Sequence, residues 1–338
     1  MSVNIKTISR KQRNYQRSVS GPIRNRYSGK FVCGNIVYNR LCMVLSGTGC
    51  STPTCTMCPL PSFGQKLYSI ESYRKAISAE LESINRKNCD RINMLSIYND
   101  GSYYSDNELS DSYRNSLEDL VKEYRVELFN VETTPLFFDE QKILRTLERS
   151  GAKLLVNVGI QSFNSDIRRY CVGSPFSEKS IFHMFEIANK LSVDLRVYLL
   201  FKAPFLNEWE AIEDLNESLS FCRTFKVKLV SINPCKVSKG TVLADIYSKG
   251  LYRVPHYYSL FKLLDRFSKD IDIRAELPSS GSCPGDIALP HICYECEPYI
   301  KNYSDKDITP ICWIQHLHLE DRKSWNYRFN QYMENGYS

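Results

Sequence analysis

The sequence predicts an α/β fold, a parallel sheet with helices packed against it. Three observations carry this. Six apolar segments of strand length recur between residues 41 and 232. Each is followed by a stretch with helical spacing of its apolar residues. The strand segments are nearly uninterrupted by polar residues, as strands covered on both faces are.

The first strand is 41–46 (LCMVLS), and a helix with Ile70, Tyr73, Ile77, Leu81 and Ile84 on one face follows it. Strand 92–98 precedes a helix carrying Leu109, Tyr113, Leu117, Leu120 and Tyr124. Strand 126–132 precedes a helix that starts near Asp139 and stops at Gly151. Strand 153–160 leads to a helix beginning near Ser177, and strand 194–202 to one opened by Asn207 and Glu210 at capping-box spacing. The sixth strand is 226–232. A doubly wound sheet and a partial barrel both satisfy this order. The pattern stops near residue 275, where Pro278, Ser279, Ser280, Gly281 and Ser282 form a loop before a Cys-rich tail. The expected organisation is a basic N-terminal arm (1–39), a core domain (40–275) and a small C-terminal module (276–338).

With 338 residues, 43% of them hydrophobic, the chain can bury a large core. No apolar run reaches about 18 residues, and the N-terminus lacks a secretory apolar core, so a cytoplasmic protein with no membrane contact is expected. The thirteen cysteines are odd in number, which argues for metal ligation rather than disulfides. Cys33, Cys42, Cys89, Cys171 and Cys222 are scattered and read as small apolar residues. Lys6, Arg10, Lys11, Arg13, Arg17, Arg24, Arg26 and Lys30 stand in residues 1–30 without an acidic residue. Such an arm fits contact with phosphates, and equally a solvated tail.

The chemistry centres on Cys50, Cys55 and Cys58, in a loop directly after the first strand. Three thiolates leave one iron of a cubane without a protein ligand, open to chelation by a cofactor; a zinc knuckle borrowing a fourth ligand is the alternative. Loops at the C-terminal ends of strands are where α/β barrels build active sites. Asn99-Asp100-Gly101-Ser102, Glu132-Thr133-Thr134-Pro135, Gly159-Ile160-Gln161-Ser162, Lys202-Ala203-Pro204-Phe205 and Asn233-Pro234-Cys235 occupy the five further strand ends. Each alone would pass as a turn.

The three-cysteine loop resembles that of the radical S-adenosylmethionine superfamily, with spacing of four and two residues in place of the usual three and two. The variant spacing is similar to the branch containing the Elongator catalytic subunit. Cys55-Thr-Met-Cys58, the strand-end segments above and Pro290-His291-Ile292-Cys293-Tyr294-Glu295-Cys296 with Cys312 also resemble the radical lyases of archaeosine synthesis. The resemblance spans about residues 40–315. It implies a partial (β/α)6 barrel with a [4Fe–4S] cluster on Cys50, Cys55 and Cys58. It further implies S-adenosylmethionine held by Asp100, Gly101, Ser102, Glu132, Gln161 and Ser162, with Arg168 or Arg169 pairing the cofactor carboxylate. Exposed positions on a helix are the other reading of the two arginines. A flavodoxin- or ferredoxin-like electron donor, tRNA and a partner enzyme of the same pathway are the implied partners. A small metabolite or peptide as substrate, or a non-enzymatic zinc protein that binds nucleic acid, are the competing functions. In the tail, Cys283, Cys293, Cys296 and Cys312 form a candidate second site for zinc or another iron–sulfur cluster. His291, His316 and His318 are competing ligands.

Overall fold

The computed structural model describes residues 21–64, 66–87, 91–267, 271–275, 285–291 and 311–335. The strands are β1 (Ile23–Cys33), β2 (Ile36–Leu45), β3 (Met94–Tyr98), β4 (Leu128–Thr133), β5 (Lys153–Gln161), β6 (Asp194–Phe201), β7 (Leu229–Pro234), β8 (Val237–Ser238), β9 (Asp272–Ala275) and β10 (Asp286–Ala288). The first seven and β9 form one sheet in sequence order. From β2 to β9 every pairing is parallel, whereas β1 pairs antiparallel with β2. The six sequence-predicted strands are β2 to β7.

The helices are α1 (Ile70–Lys87), α2 (Asp111–Glu123), α3 (Glu140–Ser150), α4 (Glu178–Lys190), α5 (Glu208–Thr224), α6 (Val242–Ser248), α7 (Tyr257–Phe267), α8 (Ile311–His318) and α9 (Trp325–Asn335). Local chemistry sets their ends. Asp139 caps α3 by accepting the Lys142 amide, and Gly151 ends it at φ +65°. The Asn207–Glu210 capping box opens α5. Among the described residues no helix is long and apolar enough to cross a membrane.

Alternate strand residues face opposite sides of the sheet. Leu41, Met43, Leu95, Ile97, Phe129, Val131 and Val156 join the helices in the main core. Met94, Leu128, Leu155 and Leu229 point the other way, into the concave face, and pack with Phe31, Cys33 and Tyr38. Above this apolar layer lies a polar one. Asn130 Oδ1 accepts from Ser96 Oγ (2.9 Å) and Tyr98 OH (2.7 Å), while Asn157 Nδ2 donates to Tyr98 OH (2.9 Å) and Tyr198 OH (3.0 Å).

β1 closes the curl. The Phe31 ring lies 5.2 Å from the Arg40 guanidinium on β2, 5.8 Å from Arg196 on β6 and 4.3 Å from Arg274 on β9. One side chain of an edge strand thus reaches the opposite edge, and the sheet becomes a partial barrel with its floor plugged. Residues 23–33, which the sequence assigns to the N-terminal arm, are therefore a strand of the core sheet. Their basic residues hide the strand pattern.

Candidate functional site

The loop after β2 carries the three thiols at the C-terminal mouth of the barrel, and Cys50, Cys55 and Cys58 are each half-buried. Two neighbours clamp it. The Thr56 amide donates to Val172 O (2.8 Å) and its hydroxyl to Cys171 O (2.6 Å), both in a π-helical turn at Ile167–Val172. The Leu243 amide of α6 donates to Thr56 O (3.0 Å). Gly173, at φ +76°, ends the π turn so close to the loop that a Cβ there would lie 2.5 Å from Thr54 O.

Glu108 joins this loop to the segment after β3. Its carboxylate accepts the Ser51 amide (2.8 Å), the Ser51 hydroxyl (2.7 Å), Asn99 Nδ2 (3.1 Å) and the Ser102 amide. It is 2% exposed. The backbone at Gly101 passes directly against both partners: a Cβ there would meet Glu108 Oε2 at 1.8 Å and the Cys50 Cα at 3.1 Å. Only glycine fits. Sequence reasoning missed Glu108, which lies in a turn between a strand and a helix and belongs to neither periodicity.

Asp100 stands at φ +56° and pairs with Arg24 of β1, whose guanidinium lies 5.5 Å from the Phe63 ring centre. Burial raises the Asp100 carboxyl despite Arg24. Burial, together with the charge of Asp100, pushes Glu132 up to about 8. Ser102 Oγ is hydrogen-bonded to Thr133 Oγ1. Gln161, at φ +71°, follows a bulge in β5, and its amide folds over Gly159, where a Cβ would lie 2.8 Å from Nε2.

Ser162 and Arg168 are engaged at the corner behind β5. Ser162 is fully buried and donates to Asp214 Oδ1 of α5 (2.5 Å), while Arg168 Nη1 donates to Ser162 O (2.8 Å). Arg169 lies 5.2 Å from the Tyr170 ring centre. Of the tail positions, Cys283, Cys293 and Cys296 lie outside the described residues. Cys312 and His316 are on α8, His291 bridges His256, and His318 is exposed.

Backbone strain separates the two ends of the barrel. Asp100, Gln161 and Lys202, with φ from +56° to +71°, stand at C-terminal strand ends. Arg125, Ser192 and Lys226, with φ from +50° to +54°, stand at helix exits on the opposite end, where left-handed residues are ordinary terminators.

The rim also fits a bound cofactor. Ser46 Oγ, Asn99 Oδ1, Thr134 Oγ1 and Asn233 Oδ1 are buried with no hydrogen-bond partner among the described residues, and each stands at the C-terminal end of a strand. Buried polar atoms normally find partners. Here a polar ligand beside the three thiols would supply them.

No family model matches the chain. It is 27% identical over 263 residues to an uncharacterized protein of Methanocaldococcus jannaschii, covering 77% of this chain and 69% of that protein. It is 28% identical over 286 residues to archaeosine synthase subunit beta of Methanosarcina acetivorans, covering 82% of this chain and 80% of that protein. In fold it resembles SuiB of Streptococcus suis, solved bound to S-adenosylmethionine, with TM-score 0.52 and 12% identity over 70% of this chain and 52% of that one. The chain is thus similar in sequence to archaeosine synthase subunit beta and shares its fold with SuiB, solved bound to S-adenosylmethionine.

Proposed function

We propose that the chain binds a [4Fe–4S] cluster through Cys50, Cys55 and Cys58, cleaves S-adenosylmethionine with it, and modifies a nucleoside of tRNA together with a partner subunit. The observation that carries this is the glutamate tie. Glu108 holds the three-thiol loop and the Asn99–Ser102 segment as one unit at a rim of buried polar atoms that find no partner among the described residues. Bound there, the cluster and S-adenosylmethionine would supply one-electron cleavage of the sulfonium carbon–sulfur bond and a radical able to abstract a substrate hydrogen.

The chain's own residues do the placing. Gly101 leaves room for the Glu108 carboxylate and the Cys50 backbone, so the thiol loop and the segment after β3 can close on each other. Asp100 offers a carboxylate to a cation, a place taken here by Arg24. Glu132, pushed up to about 8 chiefly by burial, is suited to sharing a proton with a ligand hydroxyl or carboxylate. The apolar floor of Phe31, Met94, Leu128, Leu155 and Leu229 keeps water from entering below. The relationship to archaeosine synthase subunit beta supports tRNA as substrate and a second subunit as partner. An electron donor of flavodoxin or ferredoxin type completes the system.

The test is anaerobic reconstitution followed by incubation with reductant, S-adenosylmethionine and tRNA carrying the lysine-bearing 7-deazaguanine. Nucleoside mass spectrometry should show that base converted. 5′-Deoxyadenosine without any change in tRNA would keep the cofactor chemistry and overturn the substrate. Absence of both would overturn the whole reading.

A further inference from the structure

A second cluster of metal-ligating side chains lies where the tail meets the core, away from the three-thiol loop. Cys312 and His316 stand four residues apart on α8, and so on one face of that helix. That face meets His256, the residue before α7. Backbone pairing brings a third imidazole alongside: the His291 amide donates to Pro255 O (2.7 Å) and the Tyr257 amide to His291 O (3.1 Å).

The tightest spacing, between His256 and Cys312, matches two ligands of a single ion. His256 Nε2 lies 3.6 Å from Cys312 Sγ. Two ligands on a tetrahedral zinc with bonds of about 2.0–2.1 Å to nitrogen and about 2.3 Å to sulfur lie about 3.6 Å apart. The ring centres are 4.9 Å apart for His256–His291, 5.2 Å for His256–His316 and 6.3 Å for His291–His316. Imidazoles sharing a tetrahedral ion have centres about 5 Å apart on the same bond lengths; the two pairs that include His256 meet this, and His291 and His316 must draw together by roughly 1 Å when the ion binds. The outer shell is present as well. His316 Nε2 faces Glu208 Oε2 and Glu320 Oε1, each at 3.3 Å, which leaves Nδ1 for an ion. A carboxylate on the far nitrogen is the usual support of a ligating histidine.

Glu208, His316 and Glu320 bring ligand atoms within 4.8 Å of one another by themselves. That pocket already holds a cation. Lys202 Nζ, fully buried, sits 2.9 Å from Glu208 and 2.5 Å from Glu320. An ion therefore belongs on the imidazole and thiolate side. There it requires His256 to carry its remaining proton on Nδ1 and to release the Tyr258 amide, now 3.2 Å away.

We propose that His256, His291, Cys312 and His316 form a structural zinc site that fastens α8 to the core. Through Glu208 and Lys202 the site also holds the loop after β6 at the rim of the barrel. His256 enters it from the core domain, so the tail does not bind the ion by itself.

The experiment uses the full chain with Cys50, Cys55 and Cys58 all changed to Ala, so that metal on the first loop cannot contribute. After dialysis, elemental analysis should find about one zinc per chain, in line with a closed structural site. His256→Ala and Cys312→Ser should each lower it at least tenfold, and His318→Ala should leave it unchanged. His256→Cys, which keeps a ligand, should retain zinc and so separate ligation from folding. Cobalt substituted for zinc should show a thiolate-to-metal charge-transfer band that Cys312→Ser removes. A triple variant without zinc, zinc that survives both His256→Ala and Cys312→Ser, or an iron–sulfur chromophore in its place would each overturn the proposal.

Discussion

Glu108 offers the sharpest test of how the site is held. Glu108→Ala removes an acceptor that serves four donors, two of them main-chain amides. Hydrogen bonds to a charged group contribute about 1.5–3 kcal/mol each, and water admitted to the gap recovers part, so the loss should be about 3–6 kcal/mol. Glu108→Gln keeps the shape but turns one oxygen into an NH2 group that faces other donors. Its cost should be about 2–4 kcal/mol, two bonds lost without the cavity. Urea unfolding of the metal-free chain gives the stability, and iron retained after anaerobic reconstitution reports whether the thiols still converge. Both should fall together, because Ser51 adjoins Cys50. If Glu108→Gln stays within about 0.5 kcal/mol of the parent and loads iron normally, the tie has no role.

Cys50→Ala, Cys55→Ala and Cys58→Ala should each abolish 5′-deoxyadenosine formation, and a variant still active with its iron intact would refute the cluster assignment. Gly173→Ala combines a left-handed backbone with a clash against Thr54 O, so it should cost about 1–3 kcal/mol in thermal or urea unfolding and reduce iron loading. Burial pushes Asp214 up to about 7, against the bond from Ser162 that lowers it. The folded chain therefore holds this proton up to about pH 7, whereas the unfolded chain loses it near the ordinary value of 3.8. Stability should fall as pH rises through that window, by at most about 4 kcal/mol over about three pH units at about 1.4 kcal/mol each. Asp214→Asn should flatten that slope in urea titrations between pH 5 and 7.5; an unchanged slope would remove Asp214 as its source. Deleting residues 1–20 removes Lys6, Arg10, Lys11, Arg13 and Arg17 but spares Arg24, which pairs with Asp100. If the arm binds phosphate, tRNA affinity should drop for every sequence, and the log–log salt slope should become shallower by roughly 0.7–0.9 for each phosphate no longer neutralised. Equal affinity at all salt concentrations would make the arm a solvated tail.

The six central strands were legible because helices cover one face and the barrel lining the other, so apolar residues dominate both. The thiol loop stood out by its spacing and its place after the first strand, although spacing alone left a zinc knuckle open, and Gly151 and the Asn207–Glu210 pair marked true helix ends. β1 escaped because six consecutive residues of it, Tyr27 and Lys30 among them, are exposed along an edge, which erases alternation. The π turn at Ile167–Val172 read as a helix face because its two arginines carry no mark of the extra residue per turn. Glu108 and His256 escaped for a shared reason. Their partners lie 57 residues away at Ser51 and 56 at Cys312, and no local pattern reports a long-range contact.

The Phe31–Arg274 contact has a consequence for the order of assembly. It joins the first strand of the sheet to the last, across almost the whole length of the core. The β1–β2 hairpin is local, but its plugging ring gains its contact with Arg274 only once β9 has been made. Long-range closure of this kind is entropically costly and comes late. Until then the first and last strands of the sheet are not joined. The nascent chain thus carries an unsealed cup through most of its synthesis, the interval in which an exposed edge strand is most open to wrong partners.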